Sequence, residues 1–318
     1  MNAKTSKTSK KGRLQAWGEY AIVWAVLHLA TALPAPILRG GAVLAADVAY
    51  RILSRRRVAE DNVRAALGTE LDEAGVREVA RKSFRNFAYT VPELMKLRRF
   101  LTAPNARHWL EETDPALRAL FERARALHDA HRGCVFVTPH LGNWELLPYV
   151  SAAVGIPMVV VVRPLDNPHL ERLVYASRAG TGQLFIPKRN SLLPLQQMLA
   201  RGKSVGLLPD QSTMNGLAVP FFGRPAWTTP VPALLALRGE RPLVVVSCAR
   251  REDGWYTGHI ADPIYPRPGG NERDELVRLT TAMNAEMERI IRRFPDQYFW
   301  MHNRWKTYGR DMRDAATR

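Results

Sequence analysis

The sequence predicts an α/β fold, a mostly parallel central sheet flanked by helices, and three observations carry that prediction. Short β-branched runs alternate with helical segments from Thr113 onward. Those runs are apolar throughout rather than alternating, as strands covered on both faces are. No linker-like stretch interrupts the chain between Thr113 and Tyr308, so the fold is one domain carrying a helical N-terminal portion.

The chain has 318 residues, 46% of them apolar, which is enough for a large core. Its formal net charge is +16. Lys4, Lys7, Lys10, Lys11 and Arg13 sit in a leading Lys/Ser/Thr-rich stretch, and residues 1–16 read as a basic, disordered tail. The remainder is still basic. Such a surface suits nucleic acid, anionic lipid headgroups or an acidic protein, and charge alone does not choose among them. No recognised nucleic-acid motif is present, so no nucleic-acid partner is expected. Cys134 and Cys248 both lie in apolar runs and read as inert core residues. No disulfide framework or zinc spacing exists, and neither a metal nor a cofactor is expected.

Tyr20 to Leu38 runs apolar, broken by His28, Pro34 and Pro36. As a full helix it would be about 28 Å long, near the thickness of a bilayer's hydrocarbon core. A signal peptide needs a small-residue cleavage site, and Pro34, Pro36 and Arg39 stand in its way. Basic residues precede the run, and Arg39, Arg51, Arg55, Arg56 and Arg57 follow it. Charge on both flanks favours a helix lying in or dipping into the cytoplasmic leaflet, with a buried core helix as the alternative. Residues 17–57 are therefore assigned as a membrane-anchoring helical segment, and 58–310 as the main domain.

Val58–Leu67 and Leu71–Phe100 read as helices, the latter ending in apolar residues interleaved with cations. Thr113-Asp114-Pro115 is a helix start, a capping candidate followed by proline in the first turn, and Ala116–His131 is its helix. Strands follow at Cys134–Val137, Pro157–Val162, Val205–Asp210 (ending in an acid) and Leu243–Val246, with an added strand over Tyr256–Ile264. Helices fall between them, starting at Asn167-Pro168 and spanning Leu192–Ala200 and Pro232–Arg238; Asp274–Phe294 closes the chain. Gly202-Lys203-Ser204-Val205-Gly206 imitates a hydrolase nucleophile elbow, but a helix precedes it and a strand follows, the reverse of what an elbow requires. The same Gly-Lys-Ser ends no phosphate-binding loop, because that loop's first glycine would fall on Gln197.

The chemistry concentrates in Thr138-Pro139-His140-Leu141-Gly142-Asn143-Trp144-Glu145. His140 falls where a sheet strand ends, the usual place for ligand chemistry. On one ideal helix the five-residue spacing would put Glu145 about 140° away from His140. If His140 is in the turn and Glu145 in the first helical turn, the carboxylate can reach one imidazole nitrogen and fix its tautomer. The other nitrogen then serves as a general base. Ordinary dipole complementation by Glu145 is the plainer alternative.

The hexapeptide from His140 to Glu145 resembles the His-x-x-x-x-Asp/Glu signature of glycerolipid acyltransferases, and its Gly-Asn-Trp-Glu ending the lipid A biosynthesis (lauroyl/myristoyl) branch. Further blocks are similar to that family: Arg163-Pro164-Leu165-Asp166-Asn167-Pro168 with Arg178, Leu208-Pro209-Asp210-Gln211, Val219–Thr229, and Trp300-Met301-His302-Asn303-Arg304-Trp305-Lys306. Two departures stand out: Leu141 where many relatives carry Phe, and Asn303 where many have a second arginine.

The resemblance implies a glycerolipid acyltransferase-like fold with N-terminal membrane-associated helices, on the cytoplasmic face of a bacterial inner membrane. It implies transfer of a fatty acyl chain from acyl carrier protein to a hydroxyl of a lipid A precursor or related glycolipid. His140 and Glu145 would then be catalytic, and Gly142, Asn143, Arg163, Arg178, Asp210 and Arg304 substrate-binding. The backbone N–H groups of Gly142 and Asn143 are candidates for the oxyanion. Arg163, read as ending the adjacent strand, would bind an acceptor phosphate or brace Glu145, and Asp210 would order Arg163 or Arg178. With no cysteine or elbow serine poised as nucleophile, direct transfer without an acyl-enzyme is expected. The rival enzyme acylates another glycolipid or a lysophospholipid from coenzyme A. The rival from another class is a basic, non-catalytic membrane or nucleic-acid binding protein.

Overall fold

A computed structural model of the chain describes residues 12–100, 105–162, 167–172, 183–188, 190–267 and 269–308. Arg163 and Arg178 lie outside the described residues, as does most of the tail assigned to residues 1–16.

Among the described residues six strands form the main sheet: β1 (Val135–Val137), β2 (Met158–Val162), β3 (Leu184–Pro187), β4 (Ser204–Leu207), β7 (Leu243–Arg250) and β8 (Tyr256–Ile260). Their order is β3-β2-β4-β1-β7-β8, parallel except for the antiparallel edge strand β8. The α/β fold with a mostly parallel sheet is thus as the sequence predicts. Two details differ. Leu184–Pro187 adds an edge strand where the alternation suggests none, and β4 lies between β1 and β2. The strand that Arg163 follows is therefore not the neighbour of β1.

The helices cover both faces. On one, α6 (Pro115–His131) and α7 (Leu146–Ala153) pack Leu120, Phe121, Leu146 and Val150 against Phe136, Met158, Val244 and Val246. On the other, α8 (Leu192–Ala200), α9 (Val231–Gly239) and α10 (Glu272–Arg293) bury Leu195, Leu235, Met283 and Ile290 against Val135, Val205 and Val245. At about 25 cal/mol per Å2 of apolar surface removed from water, these contacts supply the main drive for folding. Asp114 caps α6 by accepting from the N–H groups of Ala116 and Leu117, as the sequence predicts. A hairpin, β5 (Leu217–Phe221) with β6 (Arg224–Thr228), packs on α10.

Among the described residues the N-terminal portion holds α1 (Arg13–Ala32), α2 (Ala35–Ile52), α3 (Arg55–Leu67) and α4 (Glu73–Phe100), and the short α5 (Ala106–Glu112) precedes α6. The expected single helix over Tyr20–Leu38 is broken before Pro34, which stands at the N-cap of α2 because proline cannot continue α1. Among the described residues no helix is long and apolar enough to cross a membrane. One face of α2 nevertheless leaves Ile37, Leu44, Val48 and Ile52 exposed. The opposite side joins the core, where Tyr50 meets Phe84 of α4 and Asp47 pairs with Arg85 at 2.8 Å. From α3, Asn62 donates to the carbonyls of Trp300 (2.7 Å) and His302 (2.5 Å), tying the helical layer to the closing segment.

Candidate active site

The register of two parallel strands builds the site. Val137 of β1 stands opposite Leu207 of β4, and the pairing runs one residue further, Thr138 N–H donating to Leu207 O at 3.0 Å. His140 and Asp210 each follow three residues after that rung. They meet at the carboxyl ends of the strands, where parallel sheets present ligands. His140 donates its backbone N–H to Asp210 Oδ2 at 2.8 Å and its Nδ1–H to Oδ1 at 2.7 Å. The ring is 19% exposed and the carboxylate only 2%.

Burial by itself raises the Asp210 pKa, but the His140 charge, both hydrogen bonds and Arg304 outweigh it and hold the carboxyl below its ordinary value. An ionised Asp210 accepting at Nδ1 leaves Nε2 as the basic nitrogen of His140. Charge-assisted bonds of this kind contribute about 1.5–3 kcal/mol each. The carboxylate hydrogen-bonded to Nδ1 is Asp210, seventy residues downstream, a partner that the sequence does not suggest for His140. Glu145 stands at the N-cap of α7 and lines the neighbouring apolar cleft.

That cleft runs between the sheet and the α6–α7 pair. Leu120, Phe136, Leu147, Met158 and Gly206 line its body, with Trp144 and Glu145 at the end near His140. Trp144 packs edge-on against the His140 ring at 5.1 Å, and Phe299 lies 6.1 Å from it. Apolar walls beside a base exclude water and accommodate a hydrocarbon.

The loop that holds His140 is stitched down on both sides. Phe299 N–H donates to His140 O at 2.9 Å, and Leu141 bridges Tyr298. Gly142 N–H goes to Gln297 O at 3.1 Å and Asn143 N–H to Cys248 O at 3.0 Å. The two backbone groups expected to stabilise an oxyanion are therefore spent within the fold, a correction to the sequence reading. The closeness of β7 is the reason. Gly142 has φ +61, and a Cβ there would lie 2.0 Å from Cys248 O, so only glycine fits. The Asn143 side chain is fully buried, donating to Tyr256 Oη (3.1 Å) and Glu93 Oε2 (3.3 Å).

Arg304 is also elsewhere than expected. It is 1% exposed, and its guanidinium donates to Trp227 O at 2.9 Å and Thr228 Oγ1 at 2.6 Å while lying over the Phe221 ring. This placement makes it a brace for the β5–β6 hairpin rather than a headgroup contact. Asp210 has both oxygens on His140, and the arginines it was expected to order, Arg163 and Arg178, lie outside the described residues. His302 belongs to the closing block similar to the family, and no role was expected of it. Its Nε2 accepts from Ser212 N–H at 3.0 Å just beyond Asp210, and burial lowers its pKa, against the pull of Asp210. Ser204, the elbow decoy, is fully buried, with its hydroxyl on His128 Nδ1 (2.8 Å) and on Cys134 N–H (3.0 Å). Both cysteines are buried, and burial pushes the Cys134 thiol up to about 12 and Cys248 higher still. Among the described residues no group of His, Cys, Asp and Glu could hold a metal.

A carboxylate-paired imidazole at the strand ends of an α/β sheet, beside an apolar cleft, is an arrangement suited to base chemistry on a partly apolar substrate. Comparison with known proteins narrows the class. The bacterial lipid A biosynthesis acyltransferase family matches residues 5–307, and the chain belongs to it. It is 28% identical to the lipid A biosynthesis palmitoleoyltransferase of Escherichia coli (strain K12) over 298 residues, covering 91% of this chain and 92% of that protein. It is 26% identical to the lipid A biosynthesis lauroyltransferase of the same organism over 297 residues, with the same coverage of each chain. A phosphatidylinositol mannoside acyltransferase of Mycolicibacterium smegmatis (strain ATCC 700084 / mc(2)155) is 25% identical over 182 residues, 56% of this chain and 58% of that one.

Proposed function

We propose that this chain is a late lipid A O-acyltransferase that moves a fatty acyl group from acyl carrier protein to a hydroxyl of a lipid A precursor, at the cytoplasmic leaflet of the inner membrane. The observation that carries the mechanism is the His140–Asp210 pair beside the apolar cleft. A sugar hydroxyl has a pKa far above neutrality, so attack on a thioester needs a base at the moment of attack. His140 Nε2 takes that proton, and ionised Asp210 stabilises the imidazolium that forms. The hydroxyl oxygen bonds to the thioester carbon, the C–S bond breaks, and His140 returns the proton to the leaving thiolate.

Other parts of the site follow from this reading. The acyl chain lies in the cleft between β1, β2 and β4 and the α6–α7 pair. Glu145 and the positive end of α7 flank the reacting carbonyl. Arg163 and Arg178 bind acceptor phosphate. The exposed face of α2, Ile37 to Ile52, rests in the leaflet, and Arg51 and Arg57 meet anionic headgroups. An acidic carrier protein suits the net charge of +16.

A second reading, acylation of another glycolipid, draws on the likeness to the mannoside acyltransferase. One experiment separates the two. The purified full-length protein is given acyl carrier protein or coenzyme A thioesters, with either a lipid A precursor or a phosphatidylinositol mannoside, and products are read by mass spectrometry. Acylated lipid A precursor from the carrier-protein donor supports the proposal. Product formed only from coenzyme A, or only on the mannoside, overturns it.

A further inference from the structure

The loop carrying His140 is anchored to a buried ion pair that belongs to the helical layer. Glu93, on α4, accepts at Oε2 from Arg250 Nε (2.7 Å), Tyr256 Oη (2.8 Å) and Asn143 Nδ2 (3.3 Å). Its other oxygen faces Arg39 of α2 at 3.9 Å. Arg250 ends β7 with its side chain 4% exposed, and its Nη2 donates to Thr90 Oγ1, one turn before Glu93, at 3.1 Å. The Gln297 side chain clasps the Arg250 backbone through both N–H (2.7 Å) and C=O (2.8 Å), and the Gln297 carbonyl takes Gly142 N–H. One carboxylate thus joins α2, α4, β7, β8 and the loop three residues from His140.

We propose that Glu93 is a positioning residue for the transfer reaction: through Asn143 and Arg250 it holds the His140 loop in place and couples that loop to the N-terminal helices. The physical reasons are burial and geometry. A buried ion pair rarely adds net stability over an apolar pair of the same size, so this one has little to offer as a fastener alone. What it does supply is direction. A carboxylate with three fixed donors defines where Asn143 sits, and Asn143 N–H on Cys248 O then sets the turn that presents the imidazole. Glu93 and Arg250 touch no reacting atom in the proposed chemistry. Because α2 is the helix with the exposed apolar face, the same junction gives helix seating a route to the base.

The inference rests on the transferase reading for its kinetic arm and on spectroscopy for an arm that does not. Two variants of the full-length protein are compared with wild type for melting temperature, kcat, KM and the proton resonance of His140 Nδ1–H on Asp210. Glu93→Leu/Arg250→Met removes both charges together, so its stability should stay close to wild type. Asn143→Leu keeps the ion pair and cuts the link to the loop. Both should lose about a hundredfold in kcat with KM little changed, because a base displaced by about an ångström transfers protons poorly. Both should also broaden or lose the Nδ1–H resonance, a change that a purely structural role for the pair would not cause. Wild-type kcat within about twofold in either folded variant overturns the proposal. So does an unaltered resonance in either one. If wild type itself shows no transfer, the functional reading fails, and the resonance alone decides the positioning role.

Discussion

His140 gives Asp210 two hydrogen bonds, one from its backbone N–H at 2.8 Å and one from Nδ1 at 2.7 Å. The first fixes where the loop passes, and the second fixes how the ring turns. A side chain pinned from two directions costs little further entropy when it acts, which is the sense in which a site is preorganised. The arrangement follows from strand order, since β4 is the direct neighbour of β1 and the carboxylate needs no long reach.

The burial of Arg304 leads to a prediction about stability rather than binding. Arg304→Lys keeps the charge but cannot make both bonds to Trp227 O and Thr228 Oγ1. It should lower the unfolding free energy by about 2–4 kcal/mol, as expected when buried partners are left unsatisfied. The KM for acceptor should be unchanged in the protein that remains folded. Chemical denaturation alongside steady-state kinetics checks this, and a raised acceptor KM at normal stability would restore a headgroup role.

The helical layer yields a prediction about surfaces. Leu44→Ser/Ile52→Ser changes two exposed apolar residues of α2 and should leave melting temperature unaltered. Sedimentation with vesicles containing anionic lipid should fall, most visibly at high salt, where screened charges no longer compensate. Equal sedimentation of variant and wild type at high salt would assign the membrane contact to another face.

A third prediction concerns pH. Burial lowers the pKa of His302, and His302 accepts from Ser212 N–H only while Nε2 is unprotonated. A histidine with a depressed folded pKa contributes stability above its ordinary value of about 6.5, and loses it as pH falls through the folded value. His128 and His259, both lowered by burial, act with the same sign. Glu288 and Asp296, raised by burial, act with the opposite one. His302→Gln can still accept from Ser212, so it isolates one titration. Between about pH 7.5 and about pH 5.5 the variant should lose less melting temperature than wild type. A loss as large in the variant would remove His302 from the pH response.

Much of this was legible in the sequence, for identifiable reasons. The strand before His140, the helix Leu192–Ala200 and the closing helix announce themselves by period and by capping residues such as Asp114. The family was legible too, because blocks of residue types at fixed spacing survive in linear order. What was hidden depends on the order of strands in space. Nothing local tells that β4 rather than β2 borders β1, so Asp210 was read as a partner for arginines instead of His140. The spent N–H groups of Gly142 and Asn143 were hidden for the same reason, since their acceptors lie at Gln297 and Cys248. A useful signal was present all the same: His140 and Asp210 each directly follow a proline, Pro139 and Pro209, that comes just past a short apolar run.

The most direct test compares Asp210→Asn, Glu145→Gln and His140→Ala for transfer from acyl carrier protein thioester to lipid A precursor, with folding checked by circular dichroism. Asn at 210 can still meet Nδ1 but supplies no negative charge to the imidazolium and favours the wrong tautomer. Asp210→Asn should therefore lose roughly three to four orders of magnitude in kcat, close to His140→Ala, with KM little changed. Glu145→Gln should lose less than Asp210→Asn. A folded Asp210→Asn enzyme within about tenfold of wild type, with Glu145→Gln as slow as His140→Ala, would contradict the assignment of Asp210 and return the orienting role to Glu145.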